Sequence, residues 1–315
     1  MFFGRDRLEH STRTCLYLRL LAALLAAASV LPAQEPTFRV EVKLVSLFVN
    51  VTDRSGARIG GLGSEDFAVT EDGRPQQISV FERQSAQPLS IVLAIDTSGS
   101  VRKDMNQETA AARHFVHSIL RTQDQMSVVE FSTEVRELTG FTNKPGEIDH
   151  ALGRLRGDYA TALYGAIRLG SSRLGAQEGR KVLVLVSDGD DTAQSATYAQ
   201  ALEAALRNEV MIYALIDVPI SASAGRDTGG EHALITLAEQ TGGQHFYVDS
   251  GRLDQAFQRV SDALRTQYLL GYSPHDQEPG HGFHRIEVTV PRAAPEQFHV
   301  RHKAGYYAEP VQREN

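Results

Sequence analysis

Acidic and hydroxyl side chains stand where predicted strands end and where a predicted helix begins. The apolar run IVLAI is followed by DTSGS, which supplies Asp96, Ser98 and Ser100. The run KVLVLVS is followed by Asp188, and the segment GDYATALYGAI carries Thr161 just before a helix-like stretch. Ligands of open α/β sheets bind beyond the carboxyl ends of the strands. We therefore expect these five side chains to converge on one edge of a sheet.

All five side chains are hard oxygen donors, and the pattern needs neither thiol nor imidazole. This chemistry suits Mg²⁺ or Mn²⁺, with water completing an octahedral shell. Either serine alone is better explained as a helix cap, but the whole combination favours a metal site. A nucleophilic serine fits poorly, because DTSGS is not the G-x-S-x-G turn of serine hydrolases and no histidine suggests a triad. We expect no catalytic residues and no enzyme activity.

The elements that must position these residues lie between residues 88 and 268. Four apolar runs (LSIVLAID, QMSVVEFS, KVLVLVSD and VMIYALID) alternate there with helix-like segments. Near-continuous apolar strands separated by helices predict a doubly wound, mostly parallel α/β sheet flanked by helices. The segment VRELTGFT fits a short antiparallel strand at the edge of that sheet.

The two flanks of this region have a different pattern. Residues 37–87 and 269–309 alternate apolar and polar side chains, with Asp and Gly between the runs. This period of two is typical of short antiparallel strands. Because neither flank is large enough alone, we expect them to pair as the two halves of a small, discontinuous β-sandwich-like domain.

The motifs at the predicted strand ends resemble the metal-ion-dependent adhesion site of the von Willebrand factor type A domain. That family has D-x-S-x-S, then a distant threonine, then a distant aspartate after a buried strand. The resemblance implies that Ser98 and Ser100 bind the ion directly, and that Thr161 does so in the ligand-engaged state. It places Asp96 and Asp188 close to the ion, often through water. The segment before the threonine is RGDYA, where the family often has a glycine.

The flanks resemble those of exported bacterial proteins known chiefly from acidobacteria, in which such a domain sits between two halves of a β region. Residues 1–33 are typical of a secretory signal peptide: four arginines, then LLAALLAAASVL, then a small residue. We expect cleavage after Ala33; a retained anchor is the alternative. The only cysteine is Cys15, so no disulfide can form within this sequence.

The expected function is that of an exported, Mg²⁺-dependent protein-binding module, in which an Asp or Glu carboxylate of the partner completes the coordination of the metal. The alternatives are an envelope structural protein in which the ion only stabilises the fold, and an accessory subunit of a chaperone-like ATPase, as in cytoplasmic relatives. The signal peptide disfavours the last and predicts a periplasmic, cell-surface or secreted protein without a stable membrane span. The net charge of −7 disfavours nucleic acid as a partner.

Two further groups of residues have chemistry of their own. The sequence HGFH places His281 and His284 close together, but histidines in a Gly-rich loop without cysteines are expected to be solvated rather than bound to zinc. Asp190 and Asp191 are weak candidates for a second ion, because acidic loop residues are usually hydrated.

Overall fold

A computed structural model describes residues 44–84, 86–99, 105–217, 228–248, 252–274, 282–291 and 298–308. The predicted signal peptide, its cleavage site and Ser100 lie outside these residues. The strands are β1 (Val45–Asp53), β2 (Ala68–Glu71), β3 (Arg74–Gln76), β4 (Ile78–Glu82), β5 (Leu89–Asp96), β6 (Gln125–Phe131), β7 (Val135–Thr142), β8 (Arg180–Ser187), β9 (Met211–Ile216), β10 (Gln244–Tyr247), β11 (Tyr268–Tyr272), β12 (Phe283–Thr289), β13 (Phe298–Arg301) and β14 (Gly305–Tyr307). The helices are α1 (Met105–Ile119), α2 (Pro145–Leu152), α3 (Leu163–Gly175), α4 (Tyr198–Arg207), α5 (Thr228–Gln240) and α6 (Leu253–Arg265).

A six-stranded sheet, called the central sheet below, has the order β10-β9-β8-β5-β6-β7. Its first five strands are parallel, and β7 runs antiparallel to β6 at the edge. The mostly parallel α/β fold predicted from the sequence is confirmed, as is the antiparallel edge strand.

Helices cover both faces of this sheet, and β5 shows why its sequence is apolar throughout. Ile91, Leu93 and Ile95 belong to a core that includes residues of α1, α2 and α6. Val92 and Ala94 belong to the opposite core, with residues of α3, α4 and α5. Because successive strand residues point to opposite faces, a strand covered on both sides needs an unbroken apolar run. The same burial makes β5 a rigid mount for Asp96.

The two flanks of the chain pair with each other in two four-stranded sheets. One has the order β13-β1-β11-β4 and the other β14-β12-β2-β3, so each combines strands from both flanks. The sheets share an apolar core to which β1 contributes Leu47, β2 contributes Val69, β11 contributes Leu270 and β12 contributes Ile286. This shared core explains the alternating pattern, since one face of each strand is buried against the other sheet.

Buried polar side chains join the central sheet to β1, to the start of β11 and to α6. The Tyr213 hydroxyl of β9 accepts hydrogen bonds from the amides of Asn50 (3.4 Å) and Gln267 (3.3 Å). Arg180 donates to the carbonyl of Leu264 at 2.6 Å. These contacts satisfy polar groups that would otherwise be costly to bury. No helix within the described ranges has the length and apolar character that a membrane crossing requires.

Candidate metal site

Asp96 and Asp188 lie at adjoining strand ends of the central sheet. The strands β5 and β8 are parallel neighbours, with Ile95 opposite Val186. The hydroxyl of Ser187, the last residue of β8, donates a hydrogen bond of 2.8 Å to Oδ2 of Asp96. The sheet register therefore brings the first and last motifs predicted from the sequence to the same place.

Asp96 is almost completely buried, at 1% exposure, and it accepts hydrogen bonds from Ser98 and Ser187. The backbone N–H of Ser98 donates to Oδ1 at 2.9 Å. Burial raises the pKa of Asp96 to about 6, and the nearby Asp188 carboxylate adds to this increase, while the bonds from Ser98 and Ser187 oppose it. Among the described residues, no lysine, arginine or histidine forms an ion pair with either carboxylate. A bound cation would offset this concentrated negative charge.

The loop that carries Thr161 is fastened to the loops that follow β5 and β8. The backbone N–H of Asp158 donates to the carbonyl of Thr97 at 3.1 Å. The N–H of Thr161 donates to the Thr192 hydroxyl at 2.9 Å, and its carbonyl accepts from the N–H groups of Thr192 and Ala193, both at 3.0 Å. Thr161 is buried, at 3% exposure. Its loop is thus held between the loops that carry the two acidic residues.

The loop after β8 is also held by a glycine that tolerates no side chain. Gly189 has a φ of +104°, a conformation that L side chains rarely adopt, and a Cβ there would lie 2.6 Å from the carbonyl carbon of Gly230 in α5. Its N–H donates to the Ser187 hydroxyl at 3.2 Å. This close approach fixes the path of the chain on either side of Asp188.

Glu130 in β6 supports the site and was not singled out from the sequence. It is 1% exposed and accepts a hydrogen bond of 3.3 Å from the Thr97 hydroxyl, together with one from the backbone N–H of Arg156. The guanidinium of Arg136 donates to its other oxygen. Glu130 therefore joins the DTSGS loop to the loop that leads to Thr161. The available signal was a charged residue inside the otherwise buried strand QMSVVEF.

The structure brings four of the five predicted residues to this edge of the sheet: Asp96, Ser98, Thr161 and Asp188. The fifth, Ser100, lies outside the described residues, and the binding of a metal ion by this set remains a prediction. Asp191, a weak candidate for a second ion, accepts a hydrogen bond of 3.1 Å from the backbone N–H of Tyr164 in the first turn of α3. Its contact has the geometry of a helix cap.

The RGDYA segment forms the rim of the site. A Cβ on Gly99 would lie 4.0 Å from the carbonyl oxygens of Asp158 and Tyr159, so the two loops lie side by side. Tyr159 is 87% exposed and projects into solvent. Tyr159 therefore adds an aromatic surface beside the loop that carries Ser98.

Residues 91–190 match the family model of the von Willebrand factor type A domain. The chain is similar to the structure of a von Willebrand factor type A protein from Catenulispora acidiphila, with a TM-score of 0.50 and 12% sequence identity, over 85% of this chain and 75% of that one. Residues 91–190 are therefore similar in sequence to the von Willebrand factor type A domain, and the chain shares the fold of the Catenulispora acidiphila protein.

Two other solved structures give TM-scores below 0.5. BatB from Bacteroides thetaiotaomicron gives a TM-score of 0.45 at 17% identity, over 56% of this chain and 100% of that one. The vWF domain of the type V pili tip protein Mfa5 from Porphyromonas gingivalis gives 0.44 at 12% identity, over 56% and 95%. No curated protein sequence matches the chain significantly.

Proposed function

We propose that this protein is an exported, non-catalytic binding module that docks a protein partner at the edge of the sheet where Asp96 and Asp188 meet. The observation that carries the proposal is the pair of carboxylates at adjoining strand ends, one buried and one half-buried, with no ion pair to a basic side chain in the described residues. Ser98 and Thr161 lie in the loops around these two carboxylates, and each has a hydroxyl group as a further oxygen donor. Such a set is suited to a hard divalent cation.

Asp96, Ser98, Ser100, Thr161 and Asp188 would hold Mg²⁺ or Mn²⁺ by analogy with the adhesion site that the motifs resemble. When bound, the ion would supply the positive charge that attracts an Asp or Glu carboxylate of the partner. The protein's own part is to keep its oxygen donors in place, which the bonds of Glu130 and of the Thr161 loop support.

The first test is the affinity of the purified protein for Mn²⁺ and Mg²⁺, measured by isothermal titration calorimetry. Asp188→Asn keeps the shape of the side chain and removes its charge, and we expect at least about a tenfold loss of affinity, corresponding to roughly 1.4 kcal/mol. Glu203→Gln, on the exposed face of α4, removes the same charge far from the site and is the matched control. Equal affinities of the three proteins would contradict the proposed site.

The second test separates partner binding from a purely structural ion. Envelope extract is passed over three columns: the immobilised wild-type protein with Mg²⁺, the same protein with EDTA, and the Asp188→Asn variant with Mg²⁺. The captured proteins are identified by mass spectrometry. Binding through the ion predicts a partner that is retained only by the wild-type protein with Mg²⁺. Metal-dependent thermal stabilisation with identical capture in all three arms would favour the structural alternative. Recovery of the full-length protein in the cytoplasmic fraction would contradict export.

A further inference from the structure

Two acidic side chains and a histidine meet in the flanking sheets, on strands and a turn that belong to different flanks of the chain. Glu71 ends β2, Asp72 follows it in the turn to β3, and His284 lies on β12, the antiparallel neighbour of β2. Nδ1 of His284 lies 2.9 Å from Oδ2 of Asp72 and 3.4 Å from Oε1 of Glu71. His281 lies outside the described residues. The sequence predicts that His284 is solvated. The structure shows instead that His284 contacts both carboxylates.

Nδ1 of His284 lies at the spacing of neighbouring metal ligands from one oxygen of each carboxylate. The three donor atoms all lie within 4.8 Å of one another. Ligand atoms about 2.1 Å from a shared ion lie roughly 3.0–3.4 Å apart in octahedral or tetrahedral shells. The two measured distances from His284 agree with this, so an ion could enter without a large movement of the side chains.

Hydrogen bonds from residues outside the group of three orient the donors. The hydroxyls of Tyr272 and Tyr306 donate to the two oxygens of Glu71. The backbone N–H of Arg285 donates to Oδ1 of Asp72 at 2.9 Å, which leaves Oδ2 directed at the histidine. The imidazole of His284 stacks on the ring of Tyr306, with centroids 5.3 Å apart. Outer partners of this kind are what orient the ligands of known metal sites.

The charge of the group also favours a cation. Glu71 is buried, at 6% exposure, and within the described residues its ion-pair partner is His284. When that imidazole is neutral, the Glu71 carboxylate has no ion-pair partner among the described residues, and burying an uncompensated carboxylate is costly. A divalent ion bound by both carboxylates and Nδ1 would neutralise them. The mixed nitrogen and oxygen donors suit Zn²⁺ or a neighbouring first-row transition metal better than Mg²⁺.

We propose that Glu71, Asp72 and His284 form a second metal site, specific for a first-row transition metal such as Zn²⁺ and independent of the Asp96–Asp188 edge. The site links residues 212 positions apart in the sequence. In a sequence whose single cysteine allows no internal disulfide, the bound ion acts as the cross-link between the two flanks. Metal binding of this kind contributes directly to the stability of the fold.

The test is a calorimetric titration of the full chain with ZnCl₂ in excess Mg²⁺, which occupies the oxygen-only site. We expect one Zn²⁺ per chain, bound at least about 100-fold more weakly by Asp72→Asn and by His284→Gln, because each removes a direct ligand and even loss of an outer partner costs 10–100-fold. Asparagine tolerates the left-handed backbone at position 72, where φ is 49°, so Asp72→Asn keeps the turn. Circular dichroism checks that each variant is folded.

Two controls place the ion. His299→Gln removes an exposed histidine of β13 and should leave the Zn²⁺ affinity unchanged. Asp188→Asn should lose Mg²⁺ affinity and retain Zn²⁺ affinity, and Asp72→Asn should do the reverse, so the two sites can fail independently. Absence of Zn²⁺ binding by the wild-type protein, or equal Zn²⁺ affinity of Asp72→Asn, His284→Gln and wild type, would overturn the proposal.

Discussion

Two buried carboxylates, Asp96 in the central sheet and Glu71 in the flanking sheets, have different neighbours. Each accepts hydrogen bonds from hydroxyl groups, which come from serine at Asp96 and from tyrosine at Glu71. The charged neighbour of Asp96 is another carboxylate, Asp188, whereas Glu71 has the imidazole of His284 within 3.4 Å. Hydroxyl donors stabilise a buried carboxylate but do not neutralise it. The groups around each carboxylate therefore determine which cation it suits.

A third buried carboxylate shows the case in which the chain provides its own cation. Glu130 is as buried as Asp96, but the guanidinium of Arg136 donates to it. Glu130 thus needs no external ion, and its role is to hold loops together. The three acids thus lie in three different settings: an internal ion pair, a group of oxygen donors alone and a group of both nitrogen and oxygen donors.

The largest expected effect is that of Glu130→Gln. The substitution removes the buried charge that pairs with the Arg136 guanidinium and turns an amide N–H₂ towards other donors, so we expect the free energy of unfolding to fall by about 2–4 kcal/mol. Urea unfolding should show a larger loss with Mg²⁺ than with EDTA, because Glu130 joins the loops that carry the proposed ligands and a weaker site gains less stability from the ion. The control is Glu137→Gln, which breaks the more exposed pair with Arg173 and should cost less than about 1 kcal/mol. Similar losses in both variants would show that Glu130 is not a special support.

Removing one hydroxyl donor from each carboxylate should have a smaller effect. We expect Tyr272→Phe and Ser187→Ala each to lower the free energy of unfolding by about 1–3 kcal/mol, since each removes a hydrogen bond to a buried charged group. The thermal stabilisation by Mg²⁺ should decrease in Ser187→Ala and stay unchanged in Tyr272→Phe. Tyr307→Phe, which keeps its ring contact with Arg207, is the control. If Ser187→Ala and Tyr272→Phe lost the same amount of thermal stabilisation by Mg²⁺, the response to Mg²⁺ would not distinguish the central sheet from the flanking sheets.

The contrast between the two regions also appears in what the sequence could predict. Apolar runs gave the bounds of β5 directly, because a strand covered on both faces has an unmistakable pattern. The strand β10 was missed, since it is four residues long and only Phe246 within it is buried. The motifs around Asp96 and Asp188 each follow a strand, so the rule for parallel sheets is enough to bring them together.

The group around Glu71 could not be predicted in this way. The contact between Glu71 and His284 depends on the register of β2 against β12, in which Glu71 is opposite Ile286. A shift of one residue would direct every side chain to the other face, and no local pattern fixes the register of strands more than 200 residues apart. Glu130 was missed for a related reason, because its partners come from loops whose paths only the tertiary structure defines.

His302, a second histidine of the flanking sheets, is predicted to be neutral in the folded protein. It accepts a hydrogen bond from the N–H of Val288 at Nε2 (3.1 Å) and donates from Nδ1 to the carbonyl of Lys303 (2.8 Å), an arrangement that requires neutral imidazole. Burial lowers its pKa, opposed by the bond to Lys303 and by Glu287. Because the folded-state pKa lies below the unfolded value of 6.5, this stability is complete above that pH and is lost as the pH falls towards the folded pKa.

Urea unfolding of the wild type and His302→Gln across this pH range measures that contribution. Glutamine keeps an acceptor for Val288 and does not titrate, so the stability of the wild type relative to the variant should fall on acidification. The difference between the two profiles removes the contributions of Asp96 and His284, which are common to both proteins. A constant difference would show that folding does not shift the pKa of His302, and a stability advantage of the wild type that grows on acidification would show that the folded protein favours the charged imidazole; either result contradicts the prediction.

The smallest effect on stability is expected for Tyr159→Ala, at the rim of the Asp96 site. Tyr159 is 87% exposed, and its loss should change the free energy of unfolding by less than about 0.5 kcal/mol. Mg²⁺ affinity should also be unchanged, because the loop is held by the backbone of Asp158 and by Thr161.

A partner that docks over the ion would contact the ring of Tyr159, and truncation of a central tyrosine in an interface typically costs about 1–2 kcal/mol or more of binding energy. We therefore expect the retained partner to bind at least about tenfold more weakly to Tyr159→Ala, while Tyr159→Phe, which keeps the ring, binds normally. Unchanged partner affinity in Tyr159→Ala would place the docking surface on another side of the site.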